Sequence, residues 1–498
     1  MSPVVNLHPA ALRSPIAPQG APARPARARA WPLPSALALA AVLALAGCAS
    51  PAPTGRATLA IGADRFKEAP ATPGWTVARP ADEAPRGPWW EAFGDATLNG
   101  LLPQVEVSNQ GIAAAVARYA QAQALVDGQR AGQRPSLGAT AGATRSGSGS
   151  GGDGATALRA TLNAAWEPDL WGRLAAGVAQ ARANAGASAA DLANATLSAQ
   201  AALASNYFAL RGADAELALL RATVEGYERS QQIARNRYEA GLAARTDVLQ
   251  AETQLANARA DLASLVAQRQ QLEHAIAVLL GRAPADFTLA PAAWTQRVPE
   301  VPGLLPSQLL ERRPDIAAAQ RAVEAANAQI GIARSAYYPS LSLSASAGGS
   351  ASRLADLFSA SHTLWSLGLS LAQTLFDGGA LDAALRGAQA GREATVASYR
   401  QTVLAAFQDV EDRLSTRRAL NDQLALRRQA SAAADLTEQQ VLNRYRAGQV
   451  GYGDVVTAQT SALSARRALV QLQADLQTNA VGLVQALGGG WRDDGAPA

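Results

Sequence analysis

Cys48 is the only cysteine of the chain, and it closes an apolar run from Pro34 to Gly47. The run has the length of a signal-peptide core and falls short of the ~20 residues a spanning helix needs. Leu45-Ala46-Gly47-Cys48 has the pattern of a bacterial lipobox. Small residues there admit a signal peptidase, and the free thiol becomes a thioether to diacylglycerol. Several acyl chains on one residue give stable membrane anchoring, and Ala49 in place of Asp at the next position fits sorting to the outer membrane. No thiol is left for a disulfide or a thiolate metal site. His8 lies ahead of Cys48, and His274 and His362 are too few for a histidine metal site. Gly147, Gly149 and Gly152 formally match G-x-G-x-x-G, but no buried strand precedes them and no helix start follows, so they read as loop composition. A nucleophile elbow, a Walker loop and H-E-x-x-H are all missing. The expectation is a non-enzyme with no cofactor beyond the lipid on Cys48.

The remaining chemistry sits in a motif that occurs twice. Arg237-Tyr238, Gly241 and Asp247-Val248 recur as Arg444-Tyr445, Gly448 and Asp454-Val455, a constant offset of 207, and Arg259 and Arg466 keep the register. Each glycine suits the positive φ of a helix end. Each aspartate then falls in the first turn of the following helix, at Thr246 or Gly453, where a carboxylate favours the dipole. Other echoes extend the repeat upstream. Pro135-Ser136-Leu137 matches Pro339-Ser340-Leu341, and Leu170-Trp171-Gly172 matches Leu375-Phe376 before Asp377-Gly378-Gly379. Two halves therefore share one plan: helix, two strands, long helix, turn, helix.

The strands follow from alternation. Leu158, Ala160, Leu162, Ala164 and Trp166 share one parity, and Arg159, Thr161, Asn163 and Glu167 the other. In the second half Leu341, Leu343 and Ala345 oppose Ser342, Ser344 and Ser346, while Trp365, Leu367, Leu369 and Leu371 oppose Ser366, Ser370 and Thr374. Leu137, Ala139, Ala141 and Ala143 form the weakest strand. Ser146 to Gly154 and Gly348 to Ser352 are expected as hairpin loops. Between the hairpins, nearly proline-free stretches at 174–240, 246–281, 380–446 and 453–487 read as helices. Leu203, Leu210, Leu217 and Val224 fall seven apart, as do Leu265, Leu272 and Leu279, the spacing of a coiled-coil seam. A helix over 174–240 would be about 100 Å long, more than any ordinary globular core.

Of 498 residues 48% are apolar and 17% charged, enough for a large folded body. The formal charge of +4 comes from Arg13, Arg24, Arg27 and Arg29 in a stretch, 1–47, without Asp or Glu; the rest is balanced. A neutral mature chain argues against nucleic acid as a partner.

Four amphipathic strands cannot close a barrel, and lipid tolerates only helices or closed barrels. A barrel of eight strands is filled by its own side chains, so a usable lumen requires at least three chains contributing twelve. Parity then turns Leu158, Leu162, Trp166, Leu367, Leu369 and Leu371 towards outer-membrane lipid, and Arg159, Thr161, Asn163, Ser366 and Ser370 towards water.

Trp89-Trp90 with Phe93-Gly94-Asp95, Arg312-Arg313-Pro314-Asp315, Tyr338-Pro339-Ser340-Leu341 and both Tyr/Gly/Asp-Val motifs together resemble the outer-membrane factor family of tripartite efflux systems, in its lipoprotein branch. The resemblance spans nearly all of the mature chain. It implies a mainly α protein with a transmembrane β-barrel: a homotrimer whose twelve-stranded barrel continues into a long helical periplasmic tunnel girdled by an equatorial belt. It implies a lipid-anchored outer-membrane location and two partners, a periplasmic adaptor and an inner-membrane resistance-nodulation-division pump. The corresponding division is a signal peptide (1–47), a lipidated segment and belt (48–104), a first repeat (105–283), an equatorial linker (284–313), a second repeat (314–488) and a tail (489–498). By the same resemblance Gly241 and Gly448 turn the tunnel's periplasmic tip, three copies of Asp454 ring a closed aperture, and Asp247, Tyr445 and Arg444 belong to the gate. Val450 stands where some members carry a latching Arg, and Thr457 where some carry a second Asp. Two other readings stand beside the drug-efflux duct: a duct for a type I protein secretion system, and a structural coiled-coil lipoprotein of the envelope.

Overall fold

The computed structural model describes residues 67, 87–147, 154–292, 294–299 and 312–489. The signal segment, Cys48, most of the first hairpin's loop and the C-terminal tail lie outside them. The described residues fall within one compact unit.

Among the described residues the first element is a short 3-10 turn, Trp89–Phe93, which stops at Gly94, whose φ is +67°. Asp95 then caps helix α1 (Ala96–Ser108) by accepting from the Thr97 and Leu98 amides at 2.9 and 3.0 Å. Asn109 ends α1 and caps α2 (Gln110–Ala131) in the same manner. Strands β1 (Ser136–Ser146) and β2 (Ala155–Trp166) follow, then the 67-residue helix α3 (Arg173–Glu239) and the 35-residue α4 (Arg245–Leu279). The second half repeats this with α5 (Pro314–Ser335), β3 (Ser340–Ala351), β4 (Thr363–Ala372), α6 (Ala380–Arg446) and α7 (Tyr452–Ala486). The long helices match in both halves, at 67 and 35 residues. α4 and α7 begin at Arg245 and Tyr452, one residue before the expected Thr246 and Gly453. Their N-caps, Ala244 and Gly451, contribute no side-chain bond.

Both long helices start from a left-handed glycine, Gly172 or Gly379, with an aspartate bonded to their first free amides. Asp169 accepts from Leu174 and Ala175, and Asp377 from Gly379 and Leu381. Those backbone bonds hold the Asp377 carboxyl below the usual range.

The four strands form one antiparallel sheet in the order β1-β2-β3-β4, leaving β1 and β4 as open edges. The register is unbroken, so residues of one parity stay on one face throughout. Trp166 pairs with Leu343 and Leu343 with Leu369; Ala345 pairs with Leu367 and Leu341 with Leu371. Opposite them, Thr140 and Thr161 bond at 2.7 Å and Ser346 and Ser366 at 2.9 Å. One expectation is corrected here: Gly348 to Ala351 is not loop but the end of β3. At Gly348 the neighbouring strand lies too close for a side chain, with Ala160 O 2.1 Å from where its Cβ would sit.

The main core lies where α3 is half-way along its length. Leu203, Tyr207, Phe208 and Leu210 meet Trp89, Phe93, Leu98 and Leu102 from the N-terminal segment, Ile276 and the C-cap Leu280 at the end of α4, and Val481 and Val484 of α7. The heptad seam continues through Leu217 against Leu265 and Val224 against Leu255. A polar network ties the N-terminal segment to this core. The Tyr207 hydroxyl lies 2.8 Å from the same Asp95 oxygen that caps α1, and Trp89 Nε1 donates to Gln200. Arg211, 1% exposed, pairs with Asp214 at 3.0 Å and donates to the Ala290 carbonyl. A buried arginine is tolerable only with such partners. The Arg-Arg-Pro-Asp motif opens α5, with the Arg313 guanidinium bonded to Asp315 at 3.0 and 2.6 Å and to the Ala486 carbonyl. Burial opposes the Arg313 charge, but Asp315 and Asp409 outweigh it and hold the group above its ordinary range.

Candidate functional site

The two tip turns are superposable in their bonding. Gly241 and Gly448 sit at φ +73° and +75°. The Gly241 amide donates to Tyr238 O at 2.9 Å and Leu242 to Arg237 O at 2.8 Å; Gly448 donates to Tyr445 O and Gln449 to Arg444 O, both at 2.9 Å. This is a left-handed helix C-cap, and it requires glycine at the positive φ. Asp247 and Asp454 each lie in the first turn of the next helix, as expected from the sequence.

The side chains break this symmetry. Tyr445 is 2% exposed and its counterpart Tyr238 is 44% exposed. The Tyr445 hydroxyl donates to Asp247 at 3.4 Å, its ring packs edge-on against Tyr452 at 5.2 Å, and Arg237 lies over its face at 5.0 Å. Arg237 also donates to the Arg446 carbonyl at 3.0 Å. The helix pair of the first repeat is thereby clamped to that of the second through an arginine over a ring and a phenol on a carboxylate. Burial raises the Tyr445 hydroxyl pKa, reinforced by Asp247 and partly opposed by Arg237; burial beside Tyr445 raises that of Tyr452 also. Arg237 and Tyr452 carried no assigned role in the sequence reading. The repeat marks Arg237 as special, but which ring it covers depends on α3 packing against α7, which brings the ends of α3 and α6 together.

Asp454 and Arg444 are exposed and make no side-chain hydrogen bond or ion pair among the described residues. They line a groove of about 480 Å³ between α6 and α7, with Thr437, Val441, Val450 and Thr457 on its walls. Val450 and Thr457, the two departures from the family pattern, therefore face the same groove as the gate candidates.

At the opposite end, the six residues expected to face lipid share one face of the sheet. Leu367 is 78% exposed, with Leu369, Leu371, Leu162 and Trp166 also exposed and Leu158 half-buried. No described helix is long and apolar enough to cross a membrane. Among the described residues no cluster of His, Cys, Asp and Glu is placed to hold a metal. His274 is exposed on α4, and His362 closes the β3–β4 loop.

The chain folds as an open four-stranded sheet with one apolar face, joined to two repeated pairs of long helices, and its sequence matches a known family pattern. The pattern described as outer membrane efflux protein covers residues 101–282 and 305–489. The chain belongs to the outer membrane efflux protein family. Among its relatives, the pyoverdine export outer membrane protein OpmQ of Pseudomonas aeruginosa is 33% identical over 473 residues, 92% of this chain and 97% of that one. The solved outer-membrane channel OprN is 31% identical, with a TM-score of 0.76 over 84% of this chain and 98% of its own. The MtrE channel of Neisseria gonorrhoeae, solved in an open state, is 28% identical, with a TM-score of 0.76 over 90% of this chain and all of its own. This efflux protein is accordingly an outer-membrane channel of the efflux type, with a helical periplasmic barrel and a β-barrel.

Proposed function

We propose that this efflux protein is the lipid-anchored trimeric duct through which a resistance-nodulation-division pump, joined by a periplasmic adaptor, discharges small molecules across the outer membrane. Acyl chains on Cys48 hold it to the membrane. The duct is passive, and the cargo is chosen by the pump. Relatives named for export of pyoverdine and of cations agree with small solutes as cargo.

The observation that carries the gate reading is the half-used tip motif. Arg237, Tyr445 and Asp247 join the two repeats within one protomer. Arg444, Tyr238 and Asp454, the same residue types at the same offset, have no such link inside it. Around a threefold axis the second repeat of each protomer meets the first repeat of the next. On this reading Arg444 covers Tyr238 of the partner subunit, and Asp454 comes to the aperture in three copies, where like charges concentrate a negative potential and attract cations. The test is single-channel recording of heat-resistant trimers in planar bilayers. Asp454→Ala should relieve block by divalent cations and change conductance, and unchanged channels would remove the gate role. Deletion of the gene should raise drug sensitivity; loss of a secreted protein instead would point to type I secretion. A purified protein that leaves bilayers ion-tight would leave the structural-lipoprotein reading.

A further inference from the structure

The upper end of the apolar face is built differently from the rest. On the sheet's lipid-facing parity, bulky residues run from the Leu341–Leu371 pair up through Leu343–Leu369 to Ala347–Trp365. Beyond that the same parity of β3 and β4 holds only small residues, Gly349 opposite Thr363 and then Ala351, while β2 places Ala160 beside Gly349 and the half-buried Leu158 beside Ala351. From Leu341 to Ala351 is ten residues, about 34 Å along a strand and about 26 Å along the axis of a barrel tilted by ~40°. An outward apolar band is ~25 Å tall, so its outer edge falls on the rows where β3 and β4 lack large side chains.

The β3–β4 loop occupies that place. A Cβ on Gly349 would lie 1.9 Å from the Leu357 carbonyl, so the loop backbone rests directly on this part of the sheet. Leu357 and Ala351 are each 6% exposed, on a face where Trp365, Leu367, Leu369 and Leu371 are bare. Two 3-10 turns, Leu354–Asp356 and Ala360–His362, shape the loop. The amides of Asp356, Leu357, Ser359 and His362 bond to carbonyls within it. Ser359 Oγ lies 2.8 Å from both Asp356 O and His362 Nδ1, and Ser361 Oγ lies 3.1 Å from the same nitrogen. A segment whose polar groups are satisfied internally can enter a weakly hydrated interface. It presents Leu354, 72% exposed, and Phe358, 82% exposed, beside the charged Arg353 and Asp356.

We infer that residues 353–362 form an interfacial lipid anchor: the loop folds down over the outer face of β3, and Leu354 and Phe358 insert into the outer leaflet at the level of the headgroups. The apolar band is completed by a loop where β3 and β4 themselves carry only small residues. This inference rests on the barrel reading of the sheet, and the controls separate the two. In a Cys48→Ser background, a nitroxide is attached to Phe358→Cys, Leu354→Cys, Leu369→Cys or Ser366→Cys in trimers reconstituted into phosphatidylethanolamine–phosphatidylglycerol vesicles. Collision with oxygen is compared with collision with a water-soluble nickel chelate. The oxygen-to-nickel ratio at 354 and 358 should resemble that at 369 and exceed that at 366 severalfold. Ratios at 354 and 358 equal to that at 366, with 369 still in lipid, overturn the anchor and leave the barrel intact. Spin–spin broadening among the three labels at 358 would also overturn it, since the loops would then meet over the pore. A water-exposed label at 369 overturns the barrel reading itself.

Discussion

Asp247 and Asp454 hold equivalent positions in the two repeats, and their surroundings give them different work. Asp247 accepts from the buried Tyr445 hydroxyl, whereas Asp454 stands free in an open groove. Tyr445→Phe removes one long hydrogen bond and should cost about 0.5–1 kcal/mol. Arg237→Ala should cost more, because it removes both the cover over the ring, worth ~0.5–2 kcal/mol, and the bond to the Arg446 carbonyl. Both variants should lengthen open times in single-channel records, Arg237→Ala the more, and equal effects would contradict the clamp as drawn. In the core, burial pushes the Tyr207 hydroxyl up to about 12 against the pull of Arg211. A folded pKa above the unfolded value of about 10 means that the stabilisation is intact below pH ~10 and is lost as pH rises through about 12. Thermal unfolding should therefore be insensitive to this tyrosine at neutral pH and fall across that alkaline window. Tyr207→Phe should flatten the fall.

At the scale of elements, the glycines that end helices are distinguished by what surrounds them. Gly241 has positive φ and open space, so Gly241→Ala meets only the backbone penalty, about 1–2 kcal/mol. Gly281, at φ +65°, has Ser108 O 2.1 Å from where its Cβ would sit. Gly281→Ala must shift the α1–α2 junction as well and should lower the melting temperature of the trimer well beyond Gly241→Ala. Similar melting temperatures for the two variants would show that the junction yields easily. The sheet has the same economy of space, with glycines in β3 where another backbone passes. Their clustering reads as a loop because glycine marks both reversals and close approaches, and sequence does not distinguish them.

For the whole molecule, the decisive facts are two open strand edges and an apolar face left largely bare. A single protomer cannot seal a passage through lipid, so conductance should require the assembled trimer. Cys48→Ser should leave the conductance of reconstituted trimers unchanged and reduce only their retention in membranes, as measured by fractionation. A changed conductance would give the lipid a role beyond anchoring.

The sequence by itself determined the repeat, the helix lengths, the strand parity and the tip turns. Each is a local pattern: a fixed offset of 207, a period of 3.6 or 2, or a glycine where φ must be positive. Tertiary structure alone decided which copy of the tip motif is buried and that Arg237 covers Tyr445. It also buried Arg211 against Asp214 and the Ala290 carbonyl, and folded the β3–β4 loop onto its own sheet. These depend on which elements become neighbours across long separations in the chain, and no local period encodes that distance.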